Sequence, residues 1–165
     1  MSKKSSIYAV FIYAISAVIV ILILYFGYRG ITGFQKADQQ STMEKFQLRL
    51  KADMSQLSIR YGSIGYFSYP VAKGYTKMCF VDLTVAGNNI TTRNNYILSN
   101  NYTLINDSVA TTTKNAFILG DTFIAVDVGK MSINCSPFVY CINATKGKFT
   151  FLAEGEGDSV MIKNC

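Results

Sequence analysis

Four cysteines are the residues of this chain whose types and spacing most clearly indicate chemistry, and their spacing favours disulfide bonds. They are Cys79, Cys135, Cys141 and Cys165. The set lacks the CxxC spacing of zinc ribbons and redox motifs, and the chain has no histidine to complete a mixed metal site. Four cysteines allow three pairings. We favour Cys79 with Cys141 and Cys135 with Cys165, because Cys79 and Cys141 each lie in apolar, strand-like surroundings.

Asparagine gives the second chemical signal, because five N-glycosylation sequons occur and all lie beyond residue 88. Their acceptors are Asn89, Asn101, Asn106, Asn134 and Asn143. Chance would give roughly two sequons among the eleven asparagines, although an Asn-rich and Thr-rich loop region also makes sequons by accident. Disulfides and sequons together predict a glycosylated domain outside the cytoplasm, where oxidising conditions preserve disulfides.

The charge distribution argues against nucleic acid and gives a conflicting signal on topology. The net charge of +6 divides into +4 over residues 1–59 and +2 over residues 60–165. A nucleic-acid-binding domain normally carries a basic patch, so we expect no nucleic-acid partner. Basic residues after the apolar run outnumber Lys3 and Lys4 before it, which by the positive-inside rule favours a cytoplasmic domain. We give the disulfides and sequons more weight, because those basic residues are interspersed with acids in a helix-like pattern.

Three carboxylates near the C-terminus are the best candidates for a metal site. On a strand, the alternation of Glu154, Glu156 and Asp158 would place them on one face, an arrangement that suits Ca²⁺. A solvated hairpin with turn glycines is the simpler interpretation, and we favour it. The chain has neither a nucleophile-elbow pattern nor a phosphate-binding glycine loop with its lysine. We therefore expect no metal, no cofactor and no enzymatic activity.

The element that precedes these residues is an uncharged run, SSIYAVFIYAISAVIVILILYFGY, at residues 5–28. As a helix it would span about 36 Å, enough to cross a hydrocarbon core of about 30 Å. It is longer than the apolar core of a secretory signal, and it ends in aromatic residues before Arg29, as expected at a membrane interface. We predict a short basic leader at residues 1–6 and a transmembrane or filament-core helix at residues 7–28.

Residues 29–59 continue this helix as an amphipathic extension, since no proline occurs before Pro70. An apolar stripe recurs at helical spacing, and its members are Met43, Phe46, Leu50, Met54 and Leu57. Three glycines interrupt the junction at Gly27, Gly30 and Gly33. They serve either as a joint between membrane and linker, which we favour, or as a close-packing surface for a neighbouring helix.

Residues 60–165 change to strand-like segments rich in Val, Ile, Phe, Tyr and Thr, bounded by turn residues. The closing AEGEGDSVMIKNC predicts a hairpin, and SNNYTLINDSVA predicts a short helix or a structured loop. The predicted fold class is α+β, with the long N-terminal helix packed through its stripe on a C-terminal antiparallel sheet domain.

The order of these segments resembles an archaeal type IV pilin or pilin-like surface protein. The leader MSKKSS, the unbroken apolar run, the amphipathic extension and the cysteine-bearing β-rich domain together cover the whole chain. The resemblance implies leader cleavage near Ser5 and Ser6 with retention of the apolar run. No acidic residue precedes Asp38, whereas many bacterial members carry a glutamate early in the mature helix. The segments KGYTKMCFVDL and GKFTFLAEGEGD are similar to uncharacterised small membrane-anchored archaeal proteins.

The resemblance implies a structural subunit of an extracellular filament, whose partners are copies of itself, a pilus assembly and the membrane. Helices would pack through Val18, Ile19 and Leu22, with the three glycines as further contacts, while the β-rich domain faces outward. The alternative is a single-span membrane-anchored surface protein with a glycosylated, disulfide-bonded binding domain outside the cell.

Overall fold

The computed structural model describes residues 4–85, 88–100, 102–134 and 138–163, with side-chain surroundings given except at 4–11, 30–40 and 88. These residues form three helices and eight strands. In chain order they are α1 (Lys4–Ser58), β1 (Ile64–Pro70), β2 (Tyr75–Val81), α2 (Asn88–Ser99), α3 (Thr103–Thr111), β3 (Ala116–Gly120), β4 (Ile124–Val126), β5 (Met131–Ile133), β6 (Val139–Asn143), β7 (Lys148–Gly155) and β8 (Val160–Ile162).

Helix α1 is long because its sequence contains no strong breaker. It comprises 55 residues, far more than the about three to four turns of an average globular helix. The chain divides into two compact units, Met1–Ser41 and Thr42–Cys165, and α1 contributes to both. The apolar run and the amphipathic extension are therefore parts of one helix, as predicted.

The predicted stripe of α1 lies in the hydrophobic core of the second unit, which confirms the predicted packing of helix on sheet. Its five members are all buried: Met43, Phe46, Leu50, Met54 and Leu57. The Phe46 ring makes edge contacts with Tyr69 of β1 at 5.4 Å and with Phe149 of β7 at 6.3 Å between ring centroids. The intervening Leu48 is 71% exposed, so only one face of this stretch is covered.

The strands form two four-stranded sheets rather than the single sheet that the sequence suggested. Sheet A has the strand order β1-β7-β8-β5, and sheet B has the order β4-β3-β2-β6. All pairs are antiparallel except β5 with β8, which are parallel. The closing segment forms the predicted hairpin, in which Glu154 of β7 is paired with Met161 of β8.

Sheet B is covered on both faces, and this explains the continuous apolar run in β2. Met78 and Phe80 belong to the core that contains the α1 stripe, whereas Cys79 and Val81 belong to a second cluster. That cluster includes Ile97 of α2 and Ile105 of α3, so the two short helices cover the outer face of the sheet. A strand buried on both faces loses the alternation that marks a half-exposed strand.

Helix α2 was not predicted, and its composition explains why. Its sequence, NNITTRNNYILS, is rich in Asn and Thr, which have low helix propensity. Only Arg93 and Ile97 are buried among its residues with described surroundings, so its apolar periodicity is weak. Helix α3 matches the helical alternative for SNNYTLINDSVA. Tertiary contacts supply the stability that local propensity lacks.

Candidate assembly segment and surface sites

The apolar segment of α1, Ile12–Arg29, is the strongest candidate for a functional surface. All 18 of its residues are exposed, and it is long and apolar enough to cross a membrane or to act as a signal. Large apolar side chains follow one another without interruption from Val18 to Leu24. Successive helical residues point about 100° apart, so this run is hydrophobic in every direction. Such a surface requires lipid or other apolar helices around it.

The residues predicted to mediate assembly lie on this surface. Val18, Ile19 and Leu22 are each about half exposed, at 56%, 50% and 48%. A side chain added at Gly27 would meet no atom within 4 Å, so this position is open to a neighbouring helix. Gly30, Gly33, Ser5 and Ser6 lie within α1, but their side-chain surroundings fall outside the described residues. Leader cleavage and glycine packing therefore stay predictions.

The C-terminal end of the segment is suited to a polar boundary. The rings of Tyr25 and Phe26 meet edge to face with centroids 5.5 Å apart. One turn later, Arg29 Nη1 donates a hydrogen bond of 3.3 Å to the Tyr25 hydroxyl. Aromatic rings and a long cationic side chain are the groups that settle at a membrane interface, with apolar stems in lipid and polar tips in water.

The three candidate calcium ligands have separate partners in the structure. Glu154 forms an ion pair with Lys163, and Asp158 forms one with Lys130 at 3.0 Å. Glu156 accepts hydrogen bonds from the hydroxyls of Ser132 and Ser159, at 3.1 and 2.7 Å. Lys130 lowers the pKa of Asp158 through its hydrogen bond and its charge. No group of three potential metal-binding side chains occurs among the described residues.

A disulfide bond joins Cys79 and Cys141, the pair that the sequence favoured. The two residues face each other in the register of β2 and β6, with Cα atoms 4.0 Å apart. The bond closes a sequence separation of 62 residues, for which the chain-entropy model gives about 4 kcal/mol of stabilisation. Cys135 and Cys165, the other predicted pair, lie outside the described residues.

Three of the five predicted glycosylation acceptors lie on the surface. Asn89 of α2, Asn134 after β5 and Asn143 at the end of β6 are exposed. Asn106 of α3 is half-buried, and Asn101 lies outside the described residues. Surface amides of this kind are sterically open to an added glycan.

A contact that sequence reasoning missed fixes α1 to sheet A. The Tyr69 hydroxyl donates a hydrogen bond of 2.7 Å to Asp53 Oδ2. Burial raises the pKa of Tyr69 well above its ordinary value, and the hydrogen bond and charge of Asp53 raise it further. The side chains of a strand alternate between its two faces, and in β1 this alternation places Tyr69 on the buried face. Nothing in the sequence indicates that Asp53 is its partner.

A patch of exposed apolar residues was also missed. It follows the end of α1 and continues along β1, the edge strand of sheet A. Its members are Ile59, Tyr61, Ile64 and Tyr66, each at least 66% exposed. The strand alternation could have indicated that Ile64 and Tyr66 point to the same face of β1, but it does not indicate that this face is exposed.

Comparison of the chain with protein-family models, curated proteins and solved structures finds no match. The pilin resemblance therefore rests on the order and character of the segments alone.

Proposed function

We propose that this chain is a pilin-like structural subunit of an extracellular filament, assembled through its N-terminal apolar helix. One observation carries the proposal. Helix α1 presents an exposed, predominantly apolar surface over Ile12–Arg29 and also contributes five side chains to the core of the second unit. A separate membrane anchor needs no such continuity, because a flexible linker is enough to tether a domain.

The physical chemistry of the apolar segment supports self-association. Burying one large aliphatic side chain contributes about 1.5–3 kcal/mol, so the run from Val18 to Leu24 represents on the order of 10 kcal/mol of unfavourable hydration. Lipid and a bundle of like helices relieve this hydration equally well. The balance between the two then depends on side-chain packing between helices, since lipid tails are as apolar as Leu.

A filament would use this segment in a non-closing arrangement. Each copy offers the same helix surface, so contacts between different faces of the helix repeat from copy to copy and extend a fibre. The partners in this proposal are copies of the chain and, before assembly, the membrane. The domain is proposed to lie outside the cytoplasm, in keeping with the exposed sequons and the Cys79–Cys141 bond.

Electron microscopy of material sheared from producing cells tests the filament directly. We expect the sheared fraction to contain fibres that are composed of the full-length protein. The double variant Ile19→Ala with Leu22→Ala sharpens the test, because it keeps an uncharged membrane-length helix but removes packing volume between helices. Fibres should be lost while the level of the protein in membranes is kept.

Two results separate the outcomes of this test. Leu48→Ala is the control, since Leu48 is exposed on the part of α1 that packs against the domain, and it should leave fibres intact. Wild-type protein found only in detergent-extracted membranes, and never in sheared fibres, would contradict the filament and select the anchored surface protein.

The anchored surface protein is retained as the second candidate because of one feature. The apolar segment ends with Tyr25, Phe26 and Arg29 in an arrangement suited to a membrane interface. Both candidates place the domain outside the cytoplasm, and the intact mass of the protein tests this location. We expect at least one glycan and no free thiols, and a mass equal to the unmodified chain with four free thiols would contradict the proposed location.

A further inference from the structure

Sheet A has one buried face and one exposed face. The side chains of Phe149, Phe151 and Ala153 of β7 point into the core that also contains the α1 stripe. The opposite face carries Ile64 and Tyr66 of β1, which are 66% and 68% exposed. Helix α1 packs on the inner face, and α2 and α3 cover sheet B, so the helices described in the second unit leave this outer face uncovered.

Strand register adds two residues of β7 to this exposed surface. Tyr66 is paired with Leu152, so both side chains lie on the same side of the sheet. Lys148 precedes Leu152 by four residues and therefore shares its face. Leu152 is half-buried and Lys148 is exposed. We call the surface formed by Ile64, Tyr66, Lys148 and Leu152 the open face.

The helices on sheet B form a second surface with exposed apolar residues. Ile97 of α2 and Ile105 of α3 are buried against that sheet. Their neighbours in the chain, Leu98 and Leu104, remain 47% and 57% exposed. Asp107 follows Leu104 by three residues, so the two lie on the same side of α3. We call the surface formed by Leu98, Leu104 and Asp107 the helical face.

The core between the two sheets separates the open face from the helical face. Met78 of β2 and Phe151 of β7 belong to one core cluster, so the inner faces of both sheets meet there. The open face looks away from this core on one side, and the helical face lies beyond sheet B on the other. A contact between the open face of one copy and the helical face of the next joins unlike surfaces, and such a contact repeats from copy to copy without closing.

The two surfaces also have opposite charges. Glu154 of the open side is paired with Lys163, whereas Lys148 belongs to neither of the ion pairs found among the described residues. On the helical side, Arg93 is buried, and Asp107 is the other charged residue within 89–111. Each surface therefore combines exposed apolar side chains with one unpaired charge, and the signs differ. Few charges at an apolar centre, with complementary sign across the contact, are typical of protein interfaces.

We infer that a second copy of this chain is the partner of both surfaces, with the open face of one copy packed against the helical face of the next. This inference deepens the proposed filament and rests on it for the repetition of the contact, which itself involves the second unit only. A standard interface buries about 800 Å² on each partner, more than the four side chains of the open face supply. The contact therefore gains from the high effective concentration of copies that already share a fibre or a membrane.

Photo-crosslinking in intact producing cells tests the contact on the full-length chain. The photoreactive amino acid p-benzoylphenylalanine replaces Tyr66, whose exposed ring leaves room for it. After irradiation we expect a crosslinked dimer on a denaturing gel, with the new bond in tryptic peptide 94–114, which contains the whole helical face. The reciprocal probe at Leu104 should react with peptide 61–73 or 149–163, which contain Tyr66 and Leu152.

Charge reversal provides matched variants of the chain that carries the Tyr66 probe. Lys148→Glu and Asp107→Lys each place like charges at the contact, so each should lower the yield of crosslinked dimer about fivefold. The double variant restores opposite charges and should return the yield to within about twofold of the unreversed chain. Lys51→Glu makes the same change of charge at an exposed residue of α1 outside both faces and should leave the yield unchanged. Retention of the Cys79–Cys141 bond in unreduced peptide maps shows that each variant is folded.

Several results would overturn the inference. They include the absence of a dimer with both probes in folded chains, a bond between two open faces, which would indicate a closed dimer, and capture of a different protein. A glycan on Asn101 or Asn106 of the crosslinked peptide would also contradict it, because both acceptors lie among the residues of the helical face in the sequence. Fibres without the expected bond overturn the contact alone, whereas the expected bond without fibres overturns the filament and supports the contact.

Discussion

Two stretches of α1 both contain large apolar side chains, but the surroundings of these side chains are opposite. Between Ile12 and Arg29 every residue is exposed, whereas between Thr42 and Ser58 one stripe is buried and the other faces carry polar residues. The first stretch has a partner only if lipid or other helices supply one. The second finds its partner in the β-sheets of the same chain. Periodicity, rather than hydrophobicity alone, therefore decides whether the apolar side chains of a helix are buried within its own fold.

The largest expected contrast comes from truncating one phenylalanine in each stretch. Phe46→Ala should destabilise the domain by about 3–5 kcal/mol, because Phe46 is 3% exposed and contacts two aromatic rings. Phe26→Ala should change the domain by less than about 0.5 kcal/mol, since Phe26 is 65% exposed. Urea unfolding in detergent, followed by tyrosine near-ultraviolet dichroism, measures both. Equal losses in the two variants would refute the distinction between the stretches.

Glycine substitution gives the next contrast. A Cβ at Gly155 would lie 2.1 Å from the carbonyl oxygen of Leu57 and 2.4 Å from that of Arg60, so Gly155→Ala must displace backbone. We expect a loss of about 3 kcal/mol in the same unfolding assay. Gly27→Ala meets no neighbouring atom and should instead stabilise the helix by up to about 1 kcal/mol. An unchanged midpoint for Gly155→Ala would show that α1 does not approach β7 this closely.

A smaller effect is expected from the hydrogen bond that holds the second stretch to β1. Tyr69→Phe removes the donor to Asp53 Oδ2 and keeps the ring in the core. The expected loss is about 1.5 kcal/mol, because the acceptor is a half-buried carboxylate that water partly solvates. Asp53→Asn combined with Tyr69→Phe should cost little more than Tyr69→Phe alone. Fully additive losses would show that the two side chains do not interact.

The smallest effect concerns alkaline pH. The pKa of Tyr69 is raised in the folded state. The contribution of Tyr69 to the free energy of unfolding is therefore fully present below its unfolded-state pKa of about 10 and is lost as the pH rises above that value. The free energy of unfolding should fall between pH 10 and 11 by up to about 1.4 kcal/mol per pH unit for this group. Burial also raises the pKa of Tyr140, which adds to the slope. In Tyr69→Phe the slope should be shallower, whereas Tyr61→Phe, at an 85% exposed position, should keep the wild-type slope.

Much of α1 could be predicted from the sequence because its signals are local. The uncharged run and the stripe at spacings of three and four residues can be seen directly in the sequence. Helical geometry then predicts which faces of the helix they occupy. The hairpin of β7 and β8 was likewise indicated by nearby glycines and strand-forming residues. Helix α2 could not be predicted in this way, since its stability comes from packing against sheet B rather than from its own residues.

The candidate sites divide along the same line. The apolar segment and the cysteine pair at positions 79 and 141 were identified from sequence character. The separation of Glu154, Glu156 and Asp158 into different contacts depended on which lysines and serines the fold placed beside them. Side-chain partners that are distant in sequence depend on strand order, and sequence patterns do not specify that order.

Local patterns in the sequence were enough to predict an apolar helix, an amphipathic extension after it and a strand-rich domain. Tertiary contacts alone settled that the strands form two sheets and that the Tyr69 hydroxyl meets Asp53. The physical reason is the range of the interactions. Helical periodicity is set by neighbours within four residues, whereas sheet pairing and surface charge clusters depend on contacts between residues far apart in the chain.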